Sequence, residues 1–235
     1  MDATKSRWRN RVTPPESPRP KGTRMTASET AAPSIAEDLQ LMLQRQPGLL
    51  EADQVLPGAA ALIELTLLGR IRSDPTAGVL NSPADNARVG VVDATPTGSA
   101  QLDAALAVLV ARGKPTWAEK LLPTVTRAIA PTLQAALVER GIVTPEAPQP
   151  GPAPQLQIAD ESIFQARKAV LNRARTLPAT VSDPRLGAVV DVLRSHPTYC
   201  GEQGQLAIIA GDWYPADCRD TVASVLRSVQ RMFSS

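Results

Sequence analysis

Histidine, cysteine and aromatic residues are scarce in this chain of 235 residues. The single histidine and the two cysteines show no CxxC pair and no Cys/His spacing of the kind found in zinc sites. The sequence therefore predicts no metal site and no cofactor. Cys200 and Cys218 are predicted to be free thiols in a reducing cytoplasm, and His196, beside Pro197, a surface or C-cap histidine.

Long apolar runs are also missing from the sequence. No stretch approaches the roughly 18 apolar residues of a spanning helix, and neither possible start is followed by a signal-peptide core. We therefore expect a cytoplasmic protein that is at most peripheral on the inner face of a membrane. Because aromatics make up 3% of the chain and apolar residues 43%, the core must be built from Leu, Val, Ile and Ala, which favours helix packing.

Positive charge is concentrated at the N-terminus. Residues 1–24 hold seven Lys or Arg and two acidic residues, whereas the rest of the chain holds 18 basic and 21 acidic residues. The prolines of this segment predict a disordered basic tail over residues 1–33, ahead of a folded domain over 34–235. Alternatively, translation begins at Met25. No nucleic-acid partner is predicted, because the folded part lacks a basic patch with interleaved aromatics.

Apolar periodicity and capping residues predict a mostly α fold, a single globular all-helical domain with a small β-hairpin. Ser34 and Glu37 form a capping box before a helix over about 35–46, and Pro57 and Gly69 bracket an apolar helix that should be buried. Further helices are predicted over 102–112, over 116–141 with a break at Pro123 and a kink or new start near Pro131, over 160–177 with a Ser162/Gln165 capping box, around 186–193, and over 216–233.

Two regions carry strand or linker signals. Residues 70–72 and 88–93 are strand-like and flank a turn-rich segment, which predicts a small β-hairpin with a long, mobile tip. Five prolines within residues 144–156 predict an extended internal linker, where only residues 155–158 have strand character.

The stretch VVDATPTGSAQLDAAL, residues 91–106, has the strand, loop and helix pattern that holds phosphate in many proteins. It contains neither glycine pattern of the nucleotide-binding enzymes. We therefore interpret Thr97 and Ser99 as a structural corner with a helix N-cap, and Asp103 as a solvated residue. Glu64, a carboxylate in an apolar helix, is predicted to form an ion pair with Arg70 or an arginine of another helix, or else to be functional.

Three blocks, GAAALIELTLLGRI, RVGVVDATPTGSAQLDAAL and LVERGIV, resemble the Golgi phosphoprotein 3 family in order and spacing. The resemblance runs from about Ala36 to the C-terminus, with weaker late echoes at residues 183–185 and 211–213. It implies an all-helical domain with a small β-hairpin and no catalytic activity. Eukaryotic members bind phosphatidylinositol 4-phosphate at membranes and retain glycosyltransferases in the Golgi; the composition here fits the bacterial, high-GC branch.

The resemblance also implies a phosphate pocket, of which little remains in this chain. The family uses a tryptophan, an arginine and two further arginines one turn apart, at positions held here by Leu49, Gly58, Arg127 and Ala130. Arg127 is therefore the one candidate head-group ligand from the resemblance. The family's apolar, membrane-inserting hairpin should follow LVERGIV, where this chain has its proline linker.

The residues themselves add two candidate lipid contacts, Lys168 and Arg175, which lie seven apart on one face of a basic helix, with Arg167 and Arg173 nearby. A solvated helix face is the alternative interpretation. We predict a non-enzymatic, peripheral membrane-associated protein that binds anionic or phosphoinositide head groups through basic residues. The alternative is a protein-interaction adaptor that has lost lipid binding and recognises a partner protein's tail.

Overall fold

The computed structural model describes residues 32–43, 55–74, 88–145, 156–178, 181–196 and 213–233. The tail predicted over residues 1–33 lies outside this part except at its last two residues. The helices are α1 (Ile35–Met42), α2 (Leu56–Leu67), α3 (Ala100–Arg112), α4 (Ala118–Glu139), α5 (Glu161–Thr176), α6 (Pro184–Ser195) and α7 (Arg219–Phe233). The strands are β1 (Ile71–Asp74), β2 (Arg88–Val91), β3 (Thr116–Trp117), β4 (Val143–Pro145) and β5 (Leu156–Ile158). The predicted mostly α fold is confirmed.

Helix α2 forms the centre of the core. Its residues are apolar on every side, and α1, α3, α4, α6 and α7 all pack against it. Such a helix leaves no solvent face for polar groups, so each one needs an internal partner. The Thr66 hydroxyl donates to the Leu62 carbonyl at 2.8 Å, while Glu64 bonds to neighbouring elements, as described below.

Helix α4 runs without interruption from Ala118 to Glu139 through both Pro123 and Pro131. The predicted break at Pro123 is therefore wrong, and so is a new start near Pro131; the alternative of a kink near Pro131 stays a prediction. Each proline leaves the carbonyl four residues earlier without its helical donor. Those carbonyls belong to Glu119 and Arg127, which are exposed, so water can replace the lost bonds while the buried face holds both halves of the helix in place.

By length and composition, α4 is also the one helix in the described ranges that could cross a membrane. Its apolar side chains, among them Leu121, Val125 and Ile129, are nevertheless buried, and the helix packs against α2 and α3. Arg127 lies on the opposite, exposed side. This two-sided pattern is typical of a helix at the edge of a protein core.

A three-stranded antiparallel sheet has the order β1-β2-β3, with Ile71 opposite Val91 and Arg88 opposite Trp117. The predicted hairpin of β1 and β2 is confirmed, and its tip, residues 75–87, lies outside the described residues. Strand β3 was not predicted, because two residues contain no alternating pattern and pair only once the chain has folded back.

Strands β4 and β5 form a second antiparallel pair, with Val143 opposite Ile158 and Pro145 opposite Leu156. The ends of the predicted linker are thus strand, and strand character extends beyond residues 155–158. A hairpin therefore does follow the LVERGIV block. Its connection, residues 146–155, contains alanine as its only apolar residue type besides proline and glycine, so it lacks the apolar tip that the resemblance implies.

The helix caps agree with the sequence at the start of α1 but not at the start of α5. Ser34 and Glu37 form the predicted capping box. The predicted Ser162/Gln165 box is wrong, because Asp160 caps α5 by accepting two backbone N–H groups, and Ser162 lies within the first turn. A carboxylate at this position also gains from the positive end of the helix dipole.

His196 is the C-cap of α6 and is buried rather than on the surface. Its ring packs edge to face against Phe233, with ring centroids 4.1 Å apart. The surface interpretation failed because α7, distant in sequence, covers this helix end. Cys218 is a free, buried thiol within 3.5 Å of the Thr66 carbonyl, and its pKa is raised by burial; Cys200 lies outside the described residues.

Candidate functional site

Arg127 projects from the exposed side of α4. Among the described residues, no carboxylate pairs with it, and the cavity described below is not lined by it. Lys120 lies seven residues earlier and is also exposed, which places the two cations on one face about 10 Å apart along the axis. Glu119, next to Lys120, is exposed as well, so these three residues together carry a net charge of +1.

Gly58, at a second position that the resemblance assigns to the family's pocket, is closed by packing. It lies in the first turn of α2, where its N–H donates to the Thr126 hydroxyl at 3.0 Å. A Cβ added there would lie 2.5 Å from that hydroxyl and 2.6 Å from the Leu122 carbonyl. No side chain fits, so this packing cannot accommodate an arginine. Ala130 is half-buried, and Leu49 lies outside the described residues.

The predicted pair Lys168 and Arg175 lies on one flank of α5. The Lys168 ammonium is 5.1 Å from the ring centroid of Phe164, and Arg175 is exposed. Arg167, a neighbouring cation, is not available for lipid, because it donates to both carboxylate oxygens of Asp38, with 2.7 Å between Nε and Oδ1. Helix α5 therefore uses part of its positive charge within the fold.

An apolar stripe on α5 escaped sequence reasoning. Ile163 and Val170 of α5 and Leu177, its C-cap residue, follow one another at intervals of seven, and each is about half exposed, at 47%, 45% and 51%. At 100° per residue, Arg173 lies about 60° from Val170, whereas Lys168 lies about 140° from Ile163. Arg173 is thus the cation beside this α5 stripe. The spacing of seven residues is the sequence signal that could have revealed the stripe.

The loop that first suggests a phosphate site is satisfied internally. Ser99 caps α3 as predicted, accepting the Leu102 N–H. Asp103 is not merely solvated: it accepts from the N–H and the hydroxyl of Thr97 at 2.6 and 2.8 Å. Its carboxylate occupies the place that a bound anion would need, so the loop is a structural corner.

Glu64 is 4% exposed and bonds to Arg185 of α6, and it accepts the Ile35 N–H at 2.9 Å. The predicted ion pair with an arginine of another helix is confirmed. The Arg70 alternative is wrong, because Arg70 pairs with Asp93. Burial raises the pKa of Glu64, although Arg185 acts in the opposite direction.

Two more buried carboxylates lie at the start of α1 and also pair with arginines of other segments. Burial raises the pKa of each of these carboxyls as well. The pairs are Glu37 with Arg140 and Asp38 with Arg167. In the described part of the chain, no three His, Cys, Asp or Glu side chains come together as a metal-binding group. The ion pairs fasten α1 to the rest of the domain.

Comparison with known proteins agrees with the blocks recognised in the sequence. The family model described as Golgi phosphoprotein 3 (GPP34) matches residues 35–198, well over half of the chain. The match begins at α1 and ends just after α6. No curated protein matches the chain.

Proposed function

The chain belongs to the Golgi phosphoprotein 3 family, and from this premise we propose that it is a non-enzymatic protein that binds reversibly to membranes with anionic or phosphoinositide head groups. The observation that carries the proposal is the exposed α5 stripe with Arg173 beside it. Apolar side chains next to a cation are the combination that binds an anionic membrane surface from the cytoplasmic side.

The size of these contributions predicts weak, reversible binding. Full burial of an Ile, Val or Leu side chain is worth about 1.5–3 kcal/mol. Because the three side chains of the stripe are half exposed, insertion contributes about 1 kcal/mol for each. Each cation near an anionic surface adds about 1 kcal/mol. The stripe alone is therefore insufficient, and binding needs the stripe and the basic residues together.

Arg127 supplies charge without a shaped pocket, since Gly58 and Ala130 provide no further cations. A single guanidinium can hold one phosphate group but cannot distinguish inositol phosphates by geometry. We therefore expect preference to follow the charge of the membrane. Lys168 and Arg175, on the opposite flank of α5 from the stripe, are expected to contribute only long-range attraction.

Vesicle flotation tests the proposal with neutral phosphatidylcholine vesicles and with vesicles containing phosphatidylserine or phosphatidylinositol 4-phosphate at matched charge. Binding should occur only to the charged vesicles and should weaken as salt is added. Ile163→Ser with Val170→Ser should abolish it, and Arg127→Glu should weaken it several-fold.

The matched control is Arg194→Glu, which changes an exposed cation of α6 and should leave flotation unchanged. Lys168→Glu with Arg175→Glu should reduce binding less than the stripe variant does. Absence of binding to every vesicle at low salt would refute the proposal.

A second function is favoured by one observation, the closed packing around Gly58. Loss of the pocket at that position is expected in an adaptor that retains the family's fold and recognises a protein tail instead of a lipid. A stoichiometric partner that co-purifies with the wild-type chain and is lost with Ile163→Glu and Val170→Glu, without any vesicle binding, would support this alternative.

A further inference from the structure

A cavity of about 280 Å³ opens between strands β2 and β3 and the C-terminal end of α3. Its walls include Val89, Val91, Leu109 and Leu121. Small-molecule sites begin at about 300 Å³ and are mostly apolar with a few polar groups at fixed places. The cavity thus has the size and walls for a small apolar group. It is separate from Arg127 and from the α5 stripe.

The charged residues lining this cavity are both cations. Arg112 and Lys114 lie at its edge and are exposed, and within the described ranges no carboxylate pairs with either. Asp93, next to Ala94 of the cavity wall, is held by Arg70. Glu119, five residues after Lys114, does not line the cavity. The C-terminus of α3 contributes only about half a negative charge, so the two full positive charges dominate the mouth.

The apolar walls limit what an anion here can be. An inositol phosphate or a nucleotide would bury hydroxyl groups against valine and leucine side chains that cannot hydrogen-bond them, which is unfavourable. Val110, also at the cavity, is 48% exposed and offers further apolar contact near the cations. The complementary molecule has an apolar body and one charged end.

We propose that this cavity binds a small amphiphilic monoanion, of the class of medium-chain carboxylates. The hydrocarbon part lies against Val89 and Leu109, and the carboxylate is held at the mouth by Arg112 and Lys114. Arg112 offers the paired N–H groups that match a carboxylate, and Lys114 adds a second point charge.

Displacement of a fluorescent probe tests this site in the full chain. The probe is 1-anilinonaphthalene-8-sulfonate, an apolar ring system with one negative charge, and the competitors are octanoate and its neutral counterpart 1-octanol. Octanoate should displace the probe, and 1-octanol should compete about tenfold less well because it lacks the charge. Equal competition by the two, or no displacement by octanoate up to about 1 mM, would overturn the proposal.

Two variants locate the binding, each with a matched control on α5. Arg112→Glu with Lys114→Glu reverses the charge at the mouth of the cavity, and Val110→Trp narrows the mouth. Each variant should lower the affinity for octanoate at least about tenfold. The control variants should change the affinity for octanoate by less than about twofold. They are Arg173→Glu with Arg175→Glu, and Val170→Trp. Because the charge reversal alters only exposed side chains, it remains decisive if Val110→Trp fails to fold. Equal loss in the controls would contradict the site.

Discussion

The two partners of the ion pair between Glu64 and Arg185 should contribute unequally to the stability of the fold, because Glu64 is buried and Arg185 is partly exposed. Glu64 is 4% exposed, whereas the Arg185 side chain is 41% exposed. Arg185→Met leaves a carboxylate inside the core without its cation. Glu64→Gln keeps an oxygen that can accept the Ile35 N–H. The Arg185 side chain, which loses its partner, can reorient towards the solvent.

The magnitude follows from proton binding. A buried carboxylate without its cation avoids the free-energy cost of a buried negative charge by binding a proton. At pH 7 this costs at most about 3 kcal/mol, because 2.5 pH units separate pH 7 from the ordinary pKa of 4.5 at 1.36 kcal/mol each. Arg185→Met should therefore lower the free energy of unfolding by about 2–3 kcal/mol at pH 7. Glu64→Gln should lower it by about 1 kcal/mol.

The pH dependence has a definite sign. A carboxyl whose pKa is raised by folding holds its proton more tightly in the folded state, so its contribution to stability is complete below the unfolded value and is lost as pH rises through the folded pKa. Arg185→Met raises the pKa of Glu64 further. The loss in free energy of unfolding caused by Arg185→Met should thus be smallest near pH 4.5 and should grow towards neutral pH.

Urea unfolding followed by circular dichroism measures these differences. Adding Glu64→Gln to Arg185→Met should restore about 1–2 kcal/mol at pH 7, because no buried charge remains. The control is Arg72→Met, which breaks an exposed pair with Asp217 and should cost less than about 1 kcal/mol. If the two single variants cost the same, or if their effects simply add, burial of Glu64 does not govern the pair.

Three further predictions follow from single residues. Gly58→Ala should destabilise the protein by about 1–3 kcal/mol in urea unfolding, because its Cβ would meet the Thr126 hydroxyl at 2.5 Å; an unchanged midpoint would contradict this packing. Pro131→Ala should stabilise it by about 1–3 kcal/mol in the same assay by restoring a helical hydrogen bond; a loss of stability would show that the proline fits better than the bond. In a Cys200→Ser background, Cys218 should react with a disulfide reagent only when urea unfolds the chain, because its pKa is raised by burial; rapid reaction of the native protein would refute this.

Much of the fold was predictable because its signals are local. The capping box of Ser34 and Glu37 acts within one turn, as does Gly113, which ends α3 with φ +63°. The failures came where tertiary contacts outweigh local preference. Pro123 should have broken α4, but the helix continues, because side chains on both sides of the proline are buried in the core.

The candidate site was predictable only in part. Arg127 was proposed from the family resemblance and is exposed, and its role as a head-group ligand stays a prediction. The α5 stripe was missed, although Ile163 and Val170 are spaced for it, because a sequence does not reveal which apolar residues remain outside the core. The cavity at Arg112 was missed as well, since its walls come from segments that meet only in the folded chain.

The sequence by itself determined the family, the approximate positions of the helices and the cap of α1, because motifs, periodicity and capping depend on residues within a few turns of one another. Only the tertiary structure decided that Glu64 pairs with Arg185 across 121 positions of the chain and Asp38 with Arg167 across 129. It alone decided that Gly58 has no room for a side chain. The physical reason is that tertiary packing decides which residue lies next to a buried charge or at a close helix contact. A local sequence pattern does not contain that information.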